Sequence, residues 1–286
     1  MTTEKAYIDF VKSLKSVYED REANNIADWV FEKVTGSKRL ERRLNHNNQM
    51  EEVYFTQLQN YLQELLQHKP VQYVLHEAWF YKMKFFVNEN VLIPRPETEE
   101  LVEWIVNDAN ESLSLQSKPT NIIDIGTGSG CIAISLKKEL TDATISAIDV
   151  SEKALHVAKK NAEELVAQII FFQIDFLNEK EWNTLKKFDI IVSNPPYIPV
   201  KEKEKLAKNV TAHEPSLALF VENNDPYIFY KKIAEFSKTH LESNGKIYVE
   251  VHEDFAKEVK TIFVNAGFEA EIKKDIYGKE RMIKAF

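Results

Sequence analysis

From Asn121 to the end of the chain, short apolar runs alternate with amphipathic stretches: NIIDI, TISAID, IIFFQI, FDIIVS and KIYVEV, then a closing pair around FEAEIKKD and RMIKAF. Strands alternating with helices argue for an α/β fold, a parallel sheet covered by helices on both faces. In such an open sheet, ligands bind outside the carboxyl ends of the strands, near the point where the strand order reverses. The residues that follow each run are therefore where function is sought.

Behind the first run, three of the chain's seven glycines fall within five residues, in DIGTGSGCIAIS. Gly126, Gly128 and Gly130 let the backbone turn sharply and approach a ligand, and the helix that follows offers unpaired N–H groups. The spacing is G-x-G-x-G with Cys131 next, so the loop departs from the dinucleotide fingerprint and lacks the lysine of a P-loop. The second strand ends at Asp149, where a carboxylate is placed to accept the two hydroxyls of a ribose. The competing role, capping the next helix, is already available to Ser151. After the third strand, Asp175 and Phe176 offer an acceptor beside an aromatic face, suited to an adenine ring, although a plain turn explains them too.

The fourth strand runs into SNPPY. Pro195 and Pro196 fix φ and surrender their N–H donors, so the turn presents carbonyl oxygens without competing backbone donors. Asn194 adds a side-chain acceptor and Tyr197 a flat aromatic face. Such a pocket suits a planar NH2 group. Two acceptors would bind its hydrogens and aim the nitrogen lone pair at an electrophile held on the neighbouring glycine loop.

Upstream of Pro70 the texture differs. One glycine and no proline occur, while Tyr7, Phe10, Val11 and Leu14, then Ile26, Trp29, Val30 and Val34, then Val53, Leu58, Leu62 and Leu65 recur at helical spacing. This predicts a small helical domain over residues 1–70. Aromatic and β-branched residues then predict a hairpin linker over 71–95, and Pro96 with Glu97, Glu99 and Glu100 reads as a helix start opening a main domain over 96–286. With 286 residues, 44% of them hydrophobic, the chain is long enough for both domains. No apolar run approaches the roughly 20 residues of a membrane span, and MTTEKAYIDF lacks the order of a signal peptide, so no membrane association and a cytoplasmic location are expected. A single cysteine excludes an internal disulfide and a multi-thiolate metal site. Net charge of -8 argues against a broad nucleic-acid-binding face.

Taken together, DIGTGSGCIAIS, IDVSEKAL, IVSNPPYI, LIPRPETE, HEPSLAL and DIYGKERMI resemble the PrmC/HemK family, which methylates the glutamine of the Gly-Gly-Gln motif in peptide-chain release factors. The resemblance covers nearly the whole chain. Asn-Pro-Pro-Tyr alone is shared with amino-group DNA methyltransferases, and LIPRPETE narrows the match. The resemblance implies a seven-stranded class I (Rossmann-like) methyltransferase domain, a small N-terminal helical bundle that recognises the substrate, a linking β-hairpin, and S-adenosyl-L-methionine as methyl donor. By position, Gly126, Thr127, Gly128, Ser129 and Gly130 would line the methionine and ribose side. Asp149 would take the ribose hydroxyls and Phe176 would pack on the adenine. Asn194 would touch both cofactor and amide, with Asn194, Pro195 and Tyr197 catalytic and Asn194 to Tyr197, Pro196 included, cradling the glutamine. The chain departs from the family at His76 and Lys82, where glycine is usual.

Two other readings share these residues. An amino-group nucleic-acid methyltransferase would flip a base into the same pocket, and the net charge counts against it. A non-catalytic adaptor on a nucleotide-binding fold would not need Asp149 and Asn194. A zinc hydrolase is excluded at all three His-Glu pairs: His76, His213 and His252 are followed by Phe80, Leu217 and Ala256 where H-E-x-x-H requires histidine.

Overall fold

The helical spacing of the N-terminal third becomes three long helices, Thr3–Leu14, Asp20–Thr35 and Glu52–Leu66, with short turns of helix at Arg39–Leu44 and Val71–Leu75. The computed structural model describes residues 1–113, 119–205 and 208–286. The chain divides into two compact units. The first holds Met1–Glu77 and also the later helix Lys208–His213. Its core is closed by Phe10, Leu14, Val30, Phe31, Leu58 and Leu65, while Val53, expected on the buried face, is exposed in the first turn of its helix. Arg42 is buried beside them. Its guanidinium pairs with Asp28 and lies 4.1 Å over the Tyr7 ring, so the charge is compensated where water is absent.

The span 71–95 is not a hairpin throughout. Pro70 pre-sets the start of a helix over Val71–Leu75, which His76 ends in the left-handed conformation, φ 53°. Strands occupy only Ala78–Phe80 and Met83–Phe85, joined through Tyr81 and Lys82 at φ 48° and 62°. Two consecutive left-handed residues match the twist of a tight hairpin, a turn that glycine adopts more cheaply. Both positions where the family usually has glycine, His76 and Lys82, thus carry positive φ.

In the second unit, seven strands form one mixed sheet: β1 Asn121–Ile125, β2 Thr144–Asp149, β3 Ile169–Gln173, β4 Phe188–Ser193, β5 Leu241–Glu250, β6 Ala270–Lys274 and β7 Glu280–Ala285. Their order is β3-β2-β1-β4-β5-β7-β6, and only β7 runs against the rest. Strand alternation sends Ile122, Ile190, Val192 and Tyr248 to one face and Ile123, Ile191, Ile247 and Val249 to the other. Helices Pro96–Leu113 and Cys131–Glu139 cover the first face; Ile228–His240 and Ala256–Asn265 cover the second. The order reverses at β1, whose Ile125 pairs with Ile148 on β2 and Ser193 on β4. That register levels three strand ends, so the glycine loop, Asp149 and Asn194 leave the sheet side by side. Among the described residues, no helix is long and apolar enough to cross a membrane and no cluster of metal-ligating side chains occurs.

Candidate active site

Beyond those strand ends lies a cavity of about 430 Å³. Gly126 and Gly128 border it, with Asp149, Asp175, Phe176, Asn194, Pro195 and Pro196; Glu89 to Leu92 and Pro215, Leu217 and Ala218 complete its walls. A hollow of about 630 Å³ at the opposite, amino ends of β2 and β3 is larger, but none of the groups that converge at the reversal point reaches it.

The glycine loop is held by its own backbone. Gly126 and Thr127 both donate to the carbonyl of Ile148, at 2.9 and 3.0 Å, and a Cβ on Gly126 or Gly128 would meet nothing within 4 Å. Gly130 serves packing: at φ 80° it starts the next helix, and a Cβ there would sit 3.1 Å from Ile134 Cδ1 and 3.2 Å from Ala158 Cβ. Thr127 turns inward, donating to the buried Asp124 Oδ2 at 2.7 Å. Burial pushes the Asp124 carboxyl up to about 7. Thr127, Ser129 and Gly130, expected at the cofactor, lie outside the cavity lining: the Thr127 and Ser129 side chains are buried, and Gly130 packs against Ile134 and Ala158. Cys131, half-buried at the helix start, has its thiol pushed up to about 12 by burial.

Asp149 Oδ2 accepts the Gly128 N–H and Oδ1 the Ser151 N–H, both at 2.9 Å. Burial raises its pKa and these backbone donors oppose the rise. Ser151 caps the following helix, accepting from the Ala154 N–H at 3.2 Å. Asp175 makes the local turn, accepting the Leu177 N–H at 3.0 Å. Phe176 is stacked on Trp182 at 5.4 Å and set edge-on against Phe236, so it belongs to the core as much as to the cavity.

At the fourth strand end, Ser193 Oγ donates to the Ile125 carbonyl at 2.8 Å and ties β4 to β1. Asn194 Nδ2 donates to Thr98 Oγ1 at 3.1 Å, and Thr98 Oγ1 donates to Glu250 Oε2 at 2.6 Å. Thr98 and Glu250 are each 2% exposed. Burial pushes the Glu250 carboxyl up to about 7 against the opposing pull of Thr98, Arg281 and Arg95. Sequence reading passed over both residues. They stand in the quoted LIPRPETE and in VEVHEDF, yet no spacing connects them. Tyr197 is outside the lining: its ring packs on the core and faces His252 at 5.9 Å, and burial raises its hydroxyl pKa. Arg95 also turns aside, donating to Glu214 Oε1 at 2.6 Å, while Glu214 Oε2 accepts the Ile93 N–H at 3.3 Å. This pair braces two walls of the cavity.

Comparison with known proteins gives a consistent result. Residues 109–216 match the model of the methyltransferase small domain, and residues 5–75 match that of the PrmC N-terminal domain. The release factor glutamine methyltransferase of Flavobacterium psychrophilum is 44% identical over 277 residues, which is 96% of this chain and 95% of that one. That of Bacteroides thetaiotaomicron is 38% identical over 275 residues, 96% of each chain. Among solved structures, a methyltransferase from Pyrococcus furiosus superposes with a TM-score of 0.51 at 18% identity, covering 79% of this chain and 98% of that chain, a likeness of fold.

Proposed function

The chain belongs to the release factor glutamine methyltransferase family, and from that premise we propose which residues carry the activity. It methylates a glutamine side-chain amide of peptide-chain release factors with S-adenosyl-L-methionine as donor; the Gly-Gly-Gln motif is the proposed target sequence. The observation that carries the residue assignment is the convergence of Asp149, Gly128 and Asn194 on one cavity.

The cavity fits the cofactor. Gly126 and Gly128 leave open space where side chains would project, and the Asp149 carboxylate keeps lone pairs beyond those used by Gly128 and Ser151. Asp149 would hold the ribose hydroxyls, and the part of Phe176 that borders the cavity would pack on the adenine. When bound, the cofactor supplies an electrophilic methyl group on a positively charged sulfur. Asn194 Oδ1 and the carbonyl oxygens of the proline turn accept the hydrogens of the substrate NH2. They draw electron density toward nitrogen and aim its lone pair, an arrangement worth more in the transition state than in the planar ground-state amide. Once methylated, the amide nitrogen is acidic enough to release its extra proton to water, so no side-chain base is required.

Thr127, Ser129 and Gly130 are assigned to shaping the loop that borders the cofactor, and Tyr197 to backing the proline turn. The helical unit is assigned to gripping the release factor, which suits the absence of metal-ligating clusters among its described residues and its exposed Leu40, Leu44 and Val53. The net charge of -8 supports a protein substrate over nucleic acid, and the cytoplasm, where release factors act, is the proposed location. Mass spectrometry of release factors incubated with the protein and S-adenosyl-L-methionine tests the proposal. One added methyl on a glutamine amide is expected, and it should be lost with Asn194→Ala; methylation of nucleic acid instead would overturn the reading.

A further inference from the structure

Asn194 does its proposed work only if its carboxamide is turned the right way round. An amide flipped by half a turn fills the same space but offers NH2 where an acceptor is needed. The protein contains the information that decides the orientation. Thr98 has a single hydroxyl proton, and with Glu250 ionised its 2.6 Å contact commits that proton to Glu250 Oε2, since a carboxylate can only accept. Toward Asn194, at 3.1 Å, Thr98 can then offer only a lone pair. Asn194 must present its NH2 to Thr98, which leaves Oδ1 for the cavity that Asn194 lines.

We propose that Thr98 and Glu250 are positioning residues for methyl transfer, a buried pair that fixes the polarity of the Asn194 amide with its oxygen toward the substrate nitrogen. The proposal rests on the methyl-transfer reading above. Burial supports it: both residues are nearly inaccessible, so water does not stand in for either partner. Placement supports it too. Thr98 sits in the first turn of the helix begun by Pro96, and Glu250 is the last residue of β5, two strands from the glycine loop's β1. The Tyr230 hydroxyl donates to the Glu250 backbone carbonyl at 3.1 Å and holds the strand end in place. The three residues come from elements remote in sequence, yet they form one directional chain, Asn194 to Thr98 to Glu250.

Thr98→Val keeps the shape and removes both the donor and the acceptor; Thr98→Ser restores them. At pH 8, where Glu250 is ionised, Thr98→Val is expected to lower kcat on the release factor by on the order of 10- to 100-fold, with cofactor affinity and the release-factor KM little changed, and Thr98→Ser to recover most of the loss. A second readout needs neither cofactor nor turnover. By NMR, the Asn194 side-chain amide of the unliganded wild type should show one hydrogen protected from solvent exchange, and Thr98→Val should abolish that protection. Rapid exchange of both hydrogens in the wild type would overturn the orientation even if Thr98→Val failed to fold. Transfer by the wild type with an undiminished kcat in a folded Thr98→Val would overturn the positioning role. A protected Asn194 amide in a wild type that transfers no methyl would support the orientation and overturn the functional reading instead.

Discussion

The Asp149 carboxylate accepts the Gly128 backbone N–H at 2.9 Å, so the acidic end of β2 and the glycine loop after β1 form one hydrogen-bonded unit. Its other oxygen takes the Ser151 N–H, at the head of the next helix. A single side chain thus shapes the loop and faces the cavity.

Asp149→Ala is therefore expected to weaken S-adenosyl-L-methionine binding by about 1.5 to 3 kcal/mol, the range for hydrogen bonds to a charged group, when measured by calorimetry. Asp149→Asn should fare little better despite its identical shape. Its NH2 would face the N–H of either Gly128 or Ser151, donor against donor. An affinity within about twofold of wild type for Asp149→Asn would reject the idea that both oxygens must accept.

Gly130 and Gly278 share φ 80° but differ in surroundings: a Cβ on Gly130 meets Ile134 and Ala158, whereas one on Gly278 meets nothing within 4 Å. Alanine at Gly278 should cost about 1 to 2 kcal/mol for left-handed backbone alone. Alanine at Gly130 should cost a further 1 to 3 kcal/mol, roughly, from overpacking. Urea unfolding of the two variants separates the terms, and equal destabilisation would refute the packing contribution.

Burial pushes the Glu250 carboxyl from its ordinary 4.5 up to about 7. The folded protein then binds this proton more tightly than the unfolded chain. The resulting stability is fully present below pH 4.5 and is lost as pH rises toward 7. Asp124, also pushed up to about 7, adds a slope of the same sign. Glu250→Gln removes one of the two groups. Relative to wild type, it should gain stability between pH 5 and 8, by up to about 3 kcal/mol. Parallel pH dependences for the two proteins in denaturant titrations would show that Glu250 is not the titrating group.

Much of the fold was legible because its signals are local. The seven strand segments announce themselves by short β-branched runs, and the glycine loop, Asp149 and SNPPY each sit directly behind one of them. Given a parallel sheet, chain direction alone sends those strand ends to the same side. Local reading failed where two local preferences competed. Residues Val71–Leu75 look extended by composition, yet they form a helix once Pro70 has set its entry. Thr127 and Tyr197 belong to functional-looking segments, but their side chains are spent on Asp124 and on the core.

Sequence by itself determined the element order, the α/β architecture and the resemblance to glutamine methyltransferases, because hydrophobic period, glycine spacing and proline placement act over a few residues. Tertiary structure alone decided which of the marked residues meet. It drew the helix Lys208–His213 into the N-terminal unit, with His213 Nε2 at 3.1 Å from the Gln67 carbonyl. It also set Thr98 against Asn194, 96 residues away, and against Glu250, 152 residues away. Contacts at such separations leave no periodicity in the chain. They arise from how helix and strands pack, and the direction of the Asn194 amide follows from that packing and the single proton on Thr98.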